Sequence, residues 1–171
     1  MPDELDEQQE LVARELEAVA SVLAAHGLQS YPLGRSVLGA GKVIALPAGG
    51  FTLVSVGLFR HEMAYLTGGV MRNLAQDQRL AILNTVNEWN QNNSLFPAYL
   101  HDAAAGWAVL IQCTLRASQF SVAPRFPIEL VTLMPQVVVA LWDKLVGRGV
   151  SGEPFAYTTA DLDQLLLRSL A

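Results

Sequence analysis

Four short segments contain residue types that could carry out chemistry. Residues 39–43 read GAGKV, residues 61–65 read HEMAY, Cys113 is the sole cysteine, and His101 is adjacent to Asp102. A phosphate-binding loop needs a glycine-rich turn, then Gly-Lys and a hydroxyl residue, and a zinc-protease motif needs a second histidine four residues after the first. Each segment can carry out its chemistry only if the required residue types stand at the required positions.

The two metal- and phosphate-type segments miss those positions. Ser36 stands five residues before Gly41, where a phosphate loop needs glycine, and Val43 replaces the hydroxyl residue. Glycines between strand-like residues are typical of a turn or bulge. Tyr65 occupies the place of the second zinc ligand in a segment that reads as a strand. We therefore expect no metal and no cofactor.

The cysteine and histidine candidates are also unsuited to catalysis. Alternation along 107–116 places Cys113 beside Ile111 and Leu115 on the core face, as a buried thiol without an activating partner. His101 and Asp102 are neighbours on a predicted strand and so point to opposite faces. No serine lies in a nucleophile elbow. The sequence predicts a protein that is not an enzyme.

Composition limits the possible partners. Charged residues make up 16% of the 171 positions, the net charge is −5, and no Lys/Arg cluster is present, which argues against nucleic acid. The acidic start is unlike a signal peptide. The apolar run 128–142 is shorter than the roughly 20 residues of a membrane span and contains Glu129 and Pro135. We expect a cytoplasmic protein without a membrane span, with part of its apolar surface covered by another subunit or partner.

Hydrophobic periodicity predicts an α+β fold, an antiparallel sheet with packing helices in the order α-βββ-α-ββ-α, followed by a short C-terminal helix. The predicted helices cover 4–26, ending at Gly27, then 75–91, 127–146 and 158–170. The predicted strands lie near 37–46, 51–59, 62–71, 96–102 and 107–116, with a turn at Gly49-Gly50 and another near Arg60-His61. The strand at 51–59 is apolar on both alternations, which is typical of a central strand covered on both faces.

The long helix 127–146 is the strongest candidate for an interface. Its predicted inward residues are Leu130, Leu133, Met134, Val137, Val138, Leu141, Trp142 and Leu145. Pro135 should kink or split it, because proline removes a backbone hydrogen bond. Val137, Val138, Leu141 and Trp142 are candidate contacts of a homodimer, and the alternative is that they cover the sheet of their own subunit.

Two domains are predicted: an α+β domain at 1–146, and a glycine-rich linker with an amphipathic helix at 147–171. Leu162, Leu165 and Leu166 form a stripe with Leu170 on that helix, and Thr158 with Asp161 resembles a capping box. This helix is a candidate interface that could dock on its own body, on a second subunit, or on another protein.

The segment NTVNEWNQNN, residues 84–93, contains five asparagines around a tryptophan. A helical wheel places Asn87 and Asn90 in the apolar half with Trp89, so we expect Asn87 to bridge this helix to the neighbouring strands. Asn90, Asn92 or Asn93 could end the helix in a left-handed turn. The alternative is a small-molecule sensor in which Asn87, Trp89, Asn90 and Tyr99 line a pocket.

The same residues carry a resemblance. VNEWN (86–90), then FPAYLHD (96–102, starting with Phe96 and Pro97) and WAVLIQCTL (107–115), after an α-βββ block, resemble the YbjN family. That family is described as bacterial regulators of sensory transduction with a fold similar to type III secretion chaperones, and the similarity covers roughly 8–146. It implies a homodimer with no catalytic residues that binds an unidentified protein partner in a chaperone-like or regulatory way.

Overall fold

A computed structural model describes residues 2–36, 39–45, 51–57, 60–70, 72–103 and 106–154. Its helices are α1 (Pro2–Ala25), α2 (Arg79–Asn92), α3 (Gln119–Val122) and α4 (Arg125–Gly147), with a 3₁₀ turn at Gln76–Gln78. Its strands are β1 (Ser30–Ser36), β2 (Gly39–Ala45), β3 (Phe51–Gly57), β4 (Arg60–Gly69), β5 (Arg72–Leu74), β6 (Ala98–Ala103), β7 (Gly106–Arg116) and β8 (Gly152–Pro154). The predicted α+β class is confirmed.

The strands form one antiparallel sheet in the order β1-β2-β3-β4-β7-β6. β5 also pairs with β7, through Leu74 and Trp107, and β8 pairs with β5. Trp107 of β7 pairs with β6 on one edge of the strand, so β5, which also pairs with Trp107, must lie on the opposite edge. That edge is also the one that pairs with β4, so β5 continues the line of β4 along β7. β8 therefore lies on the same side of that line as β3.

The short elements escaped the sequence prediction. β1, β5, β8 and α3 were not predicted: β5, β8 and α3 have only three or four residues, and β1, with the sequence SYPLGRS, contains a proline and a glycine and no apolar alternation. β4 starts at Arg60, so Arg60 and His61 belong to this strand and the prediction of a turn at these two residues is wrong. The Gly49-Gly50 turn lies outside the described residues.

The predicted domain boundary needs a correction. β8 pairs with Arg72, Asn73 and Leu74 of β5, so the chain up to Pro154 belongs to the sheet and is not a free linker from 147. Val150 between α4 and β8 is buried in the core. The predicted helix at 158–170 lies outside the described residues, together with Leu162, Leu165 and Leu166.

α1 behaves as its stripe predicts. Val12, Leu16, Val19 and Leu23 are buried, four residues at helical spacing on one side. The helix ends at Gly27, whose φ of +75° suits glycine, and the amide of Leu28 donates to the carbonyl of Leu23 at 2.9 Å. The predicted stop at this glycine is confirmed.

α4 runs unbroken through Pro135, so this residue does not split the helix, and the predicted kink stays a prediction. Buried residues on both sides of the proline, such as Val131 and Leu141, hold the two halves against the same core. Leu133 was expected to face inward and is 40% exposed. It lies about 100° around the helix from Met134, and that places it outside the buried stripe.

Register assigns the side chains of the sheet to two faces, since residues paired across antiparallel strands point the same way. Val54, Leu66 and Cys113 share one row. All described helices pack on this helix face: α1 through Val56, α4 through Gly68, and α2 and α3 through the core cluster that contains the row. The other face, here called the second face, contains Ser55, Tyr65, Thr67, Leu110, Gln112 and Tyr99.

Gly68 sets the distance between the sheet and α4. A Cβ at this position would lie 2.7 Å from Cγ and 2.9 Å from Sδ of Met134, and 3.1 Å from Cγ2 of Val138. Met134 is fully buried and has no room to withdraw. The helix can approach this closely only because β4 has no side chain here.

Gly68→Ala should therefore lower the free energy of unfolding by about 1–3 kcal/mol, since it overpacks a closed core. Gly147→Ala is the matched control at the end of α4, because nothing lies within 4 Å of its Cβ position. The control should leave stability unchanged or raise it by up to roughly 1 kcal/mol. Urea denaturation measures both, and equal effects would contradict the close-approach argument.

Candidate functional site

The asparagine-rich end of α2 has a different inner face from the one predicted. The buried residues are Ile82, Thr85, Val86 and Trp89. Asn87 is exposed, so the prediction that it bridges helix and sheet is wrong. The buried stripe follows spacings of three, one and three residues, and Thr85 takes the polar inner place by donating its hydroxyl to the carbonyl of Ala81 at 2.8 Å.

The bridge is made by Asn90 instead. Its Nδ2 donates to the carbonyl of Ala98 at 2.8 Å, and its Oδ1 accepts from the amide of the same residue at 2.7 Å. This amide side chain therefore pairs with Ala98 as a neighbouring strand would, and it fixes the start of β6 against α2. Ala98 is 3% exposed, so its backbone groups depend on this partner.

Trp89 makes the second contact between the same two elements. Its Nε1 donates to the carbonyl of Phe96 at 2.8 Å, and both side chains are buried. The carbonyl of the next residue, Pro97, accepts from the amide of Gln112 on β7 at 3.0 Å. The residues that carry the family resemblance thus form a latch, Trp89 and Asn90 holding the segment from Phe96 to Ala98.

The last asparagines end α2 without a left-handed residue. Nδ2 of Asn92 donates to the carbonyl of Glu88 and Nδ2 of Asn93 donates to the carbonyl of Trp89, both at 2.9 Å. Asn93 has φ −135° and ψ 70°. Side-chain amides satisfy the free carbonyls of the last turn. The asparagines therefore do end the helix, as predicted, but the prediction that they do so through a left-handed turn is wrong.

The groups required by the sensor alternative do not converge. Asn90 and Trp89 are engaged with backbone of their own chain. Tyr99 follows Ala98 on a strand and so points to the second face, away from α2. Asn87 is the remaining exposed amide of the set, and it stands apart from these partners.

The candidate reactive groups lie apart from one another. Cys113 is 1% exposed, and burial raises the pKa of its thiol, so the thiolate form is disfavoured. His26 is exposed, and its Nδ1 is bonded to the carbonyl of Val22 at 2.8 Å, just after the end of α1. Among the described residues, no three metal-ligating side chains gather at one place. The side chains of His61 and Asp102 lie outside the described set.

The candidate dimer contacts on α4 separate into two kinds. Leu141 is fully buried in the core of its own chain, which removes it from any surface of this fold. Val137, Val138 and Trp142 are half-buried and pack at the margin of the same core. The guanidinium of Arg72 lies over the ring of Trp142, 5.2 Å from its centroid.

Sequence reasoning missed the charged contact that joins α2 to α4. Glu88 pairs with Arg148, and it lies 3.6 Å from Nζ of Lys144. Residues 60 positions apart carry no local pattern that would link them. The partners are roughly half exposed, so the pairs orient the helices and add little stability.

α4 also bears on the expectation of no membrane span. By length and composition the 23-residue helix is apolar enough to cross a membrane, because it extends beyond the run 128–142 on which the sequence argument relied. In this fold it packs on the sheet, and 33% of its most apolar window is buried. Core helices of water-soluble proteins meet the same criterion, so the finding does not assign the helix to a membrane.

No family model matches the chain, and no curated protein shows significant similarity to it. The resemblance to the YbjN family therefore stays a prediction based on residues 86–90 and on the strands that follow.

Asn90→Ala should lower the free energy of unfolding by about 1–3 kcal/mol, because both buried backbone groups of Ala98 lose their partner. Asn90→Asp keeps an acceptor and loses the donor, so an intermediate loss is expected. Asn87→Ala is the matched control on the exposed side of the same helix and should stay within roughly 0.5 kcal/mol of the parent. If the two alanine variants unfold at the same denaturant concentration, the latch is not a stabilising contact.

Proposed function

We propose that this chain is a non-enzymatic, YbjN-like protein that binds a protein partner in a chaperone-like or regulatory role and that forms a homodimer through α4. The observation that carries the proposal is the apolar surface left on that helix. Leu133 is 40%, Val139 57% and Val146 50% exposed.

These residues belong to two rows on either side of the buried stripe. Phe126, Leu133 and Val137 fall within about 40° of one another around the helix, and Val139, Trp142 and Val146 fall within about 60°. Glu129, Thr132, Gln136 and Asp143 form the polar strip between the rows on the outer side. Exposed apolar rows on either side of a polar strip are typical of a helix that binds a partner and still keeps the free protein soluble.

Energetics favour covering such rows. Fully burying a leucine, valine or phenylalanine side chain contributes about 1.5–3 kcal/mol, so several of them across a two-fold interface could offset the entropy lost on association. In a two-fold dimer every contact of a row occurs twice, which doubles its contribution. The charged fraction of 16% leaves few groups that would oppose this contact.

The chemistry of the described residues supports binding over catalysis. The buried Cys113 thiol has a raised pKa, and the polar groups of Trp89 and Asn90 serve the fold. The latch also explains why residues that resemble a family signature need not contact a ligand: they determine where β6 begins.

Leu133→Glu should convert the dimer to a monomer at micromolar concentration, because a carboxylate would be buried against the apolar row of the partner subunit. Multi-angle light scattering measures the mass directly. Gln136→Glu introduces the same charge on the polar strip three residues away and should leave the dimer intact. Both positions are exposed, so both variants should stay folded; Gln136→Glu should keep the parental thermal midpoint, and that of Leu133→Glu should fall by the stabilisation that dimerisation supplies.

A parental chain that is monomeric at micromolar concentration would overturn the dimer. Partner binding is tested separately by affinity purification of the tagged full-length chain from its native host. Recovery of a specific partner by the parent and the Gln136→Glu variant, with loss in the Leu133→Glu variant, is expected. Equal recovery by both variants would exclude this row as the binding surface.

A further inference from the structure

The second face of the sheet is buried around Thr67 and Leu110, although every described helix packs on the opposite side, and it is exposed at Thr114 and Arg116 near the end of β7. Ser55 is fully buried, and Thr67, Ala108 and Leu110 are each 1% exposed. Their neighbours Tyr65, Gln112 and Tyr99 are only partly exposed. A sheet face open to water leaves such side chains accessible, so something must cover it.

Leu110 is fully buried on this face, on the side of β7 away from the described helices. It is one of the largest fully buried side chains of the chain, yet it belongs to neither of the described core clusters, both of which lie on the helix face. Its strand neighbours Val109 and Ile111 both belong to the main cluster. The groups that enclose Leu110 are therefore different from those that enclose its neighbours.

Length identifies the segment that can supply this cover. The internal stretches outside the described residues, 37–38, 46–50, 58–59, 71 and 104–105, have five residues or fewer and lie at strand ends. Residues 155–171 are 17 in number. A helix over 158–170 would be about 20 Å long, which is about four strand spacings of ~4.8 Å.

The chain leaves the described structure at the right place. Pro154 pairs with Arg72, which lies three residues beyond Gly69 along the line of β4 and β5. Gly69 is the partner of Leu110 in the register of β4 and β7. At ~3.3 Å per residue, Pro154 is about 10 Å along the strand from the level of Leu110. A segment that turns over the sheet edge at this point reaches the second face at once.

We propose that the second face is a docking surface and that its occupant is the chain's own C-terminal segment, residues 158–170, packed in cis through Leu162, Leu165, Leu166 and Leu170. This goes beyond the proposed function and does not depend on it, because the α4 rows lie on the other side of the sheet.

The chemistry of the two surfaces is complementary. The four leucines fall on one side of a helix, within about 140° of one another, and the opposite side contains Gln164 and Arg168. The second face offers the apolar surface of Leu110 and Ala108 beside the hydrogen-bonded pair Gln112 and Thr67, whose Nε2 and Oγ1 are 3.4 Å apart. Burial raises the pKa of Tyr99 to about 12, which is consistent with a covered face.

Paramagnetic relaxation in the full-length chain tests the docking directly. A spin label on Arg168→Cys, on the side of the helix opposite the leucines, should broaden the amide signals of Tyr65, Thr67 and Gln112, while the native Cys113 stays unlabelled because it is buried. A label on Ser21→Cys in α1 is the matched control, and it should leave the second face unaffected. The absence of broadening from the Arg168→Cys label would overturn the proposal.

A mixture of isotope-labelled and spin-labelled chains distinguishes a cis contact from a trans one. Broadening that disappears in the mixture supports docking within one chain. Broadening that persists at the same strength assigns the face to a second copy and overturns the cis assignment. These outcomes are independent of Leu133→Glu and of the mass of the dimer.

Ionisation of Tyr99 provides a second readout. A phenol whose pKa is raised in the folded state stabilises the fold below about pH 10, and that contribution is lost as the pH rises towards 12. At about pH 11 the parent and Gln164→Glu should keep Tyr99 protonated, as followed by NMR of its ring. Leu166→Glu should uncover the ring and lower its pKa towards the ordinary value. An unchanged pKa in a folded Leu166→Glu variant would overturn the proposal.

Discussion

The backbone ladder of β7 is the interaction on which the rest of the structure depends. This 11-residue strand pairs with β4 and β5 along one edge and with β6 along the other, so it joins the N-terminal strands to everything after α2. Its side chains are buried on both faces between Ala108 and Ile111. A strand paired on both edges and enclosed on both faces has no free position, so the described helices must be arranged around it.

The helix face shows how this constraint is met. Gly68 removes a side chain opposite Ile111, and α4 settles there with Met134 and Val138 against the backbone. α2 is fixed independently, by Trp89 and Asn90 bonding to backbone at the start of β6. One helix is thus positioned by shape and the other by hydrogen bonds, and Glu88 ties the two together at their ends.

Hydrophobic periodicity predicted the long helices and strands, and it missed the short strands that form only because a distant strand pairs with them. α1, α4 and β7 follow from stripes and alternation that involve four or more residues each. Asn87 was assigned inward because a wheel counts only apolar neighbours, whereas the buried stripe includes Thr85, whose hydroxyl bonds within the helix. β5 and β8 are three residues long and exist because a distant strand supplies partners, which no local pattern contains. The residues of the latch were recognised in the sequence as a motif, but the hydrogen bonds that they make could be identified only in the folded structure.

The sheet separates the two surfaces that we propose as binding surfaces. The exposed rows of α4 lie on the helix side, and Leu110 with its neighbours lies on the other. Substitutions more than about 7–10 Å apart without shared partners add in free energy, so a change that breaks the proposed dimer should not alter the proposed docking of the tail. If the two effects instead proved coupled, β7 would be the physical link, since its alternate residues contribute to both faces within one rigid strand.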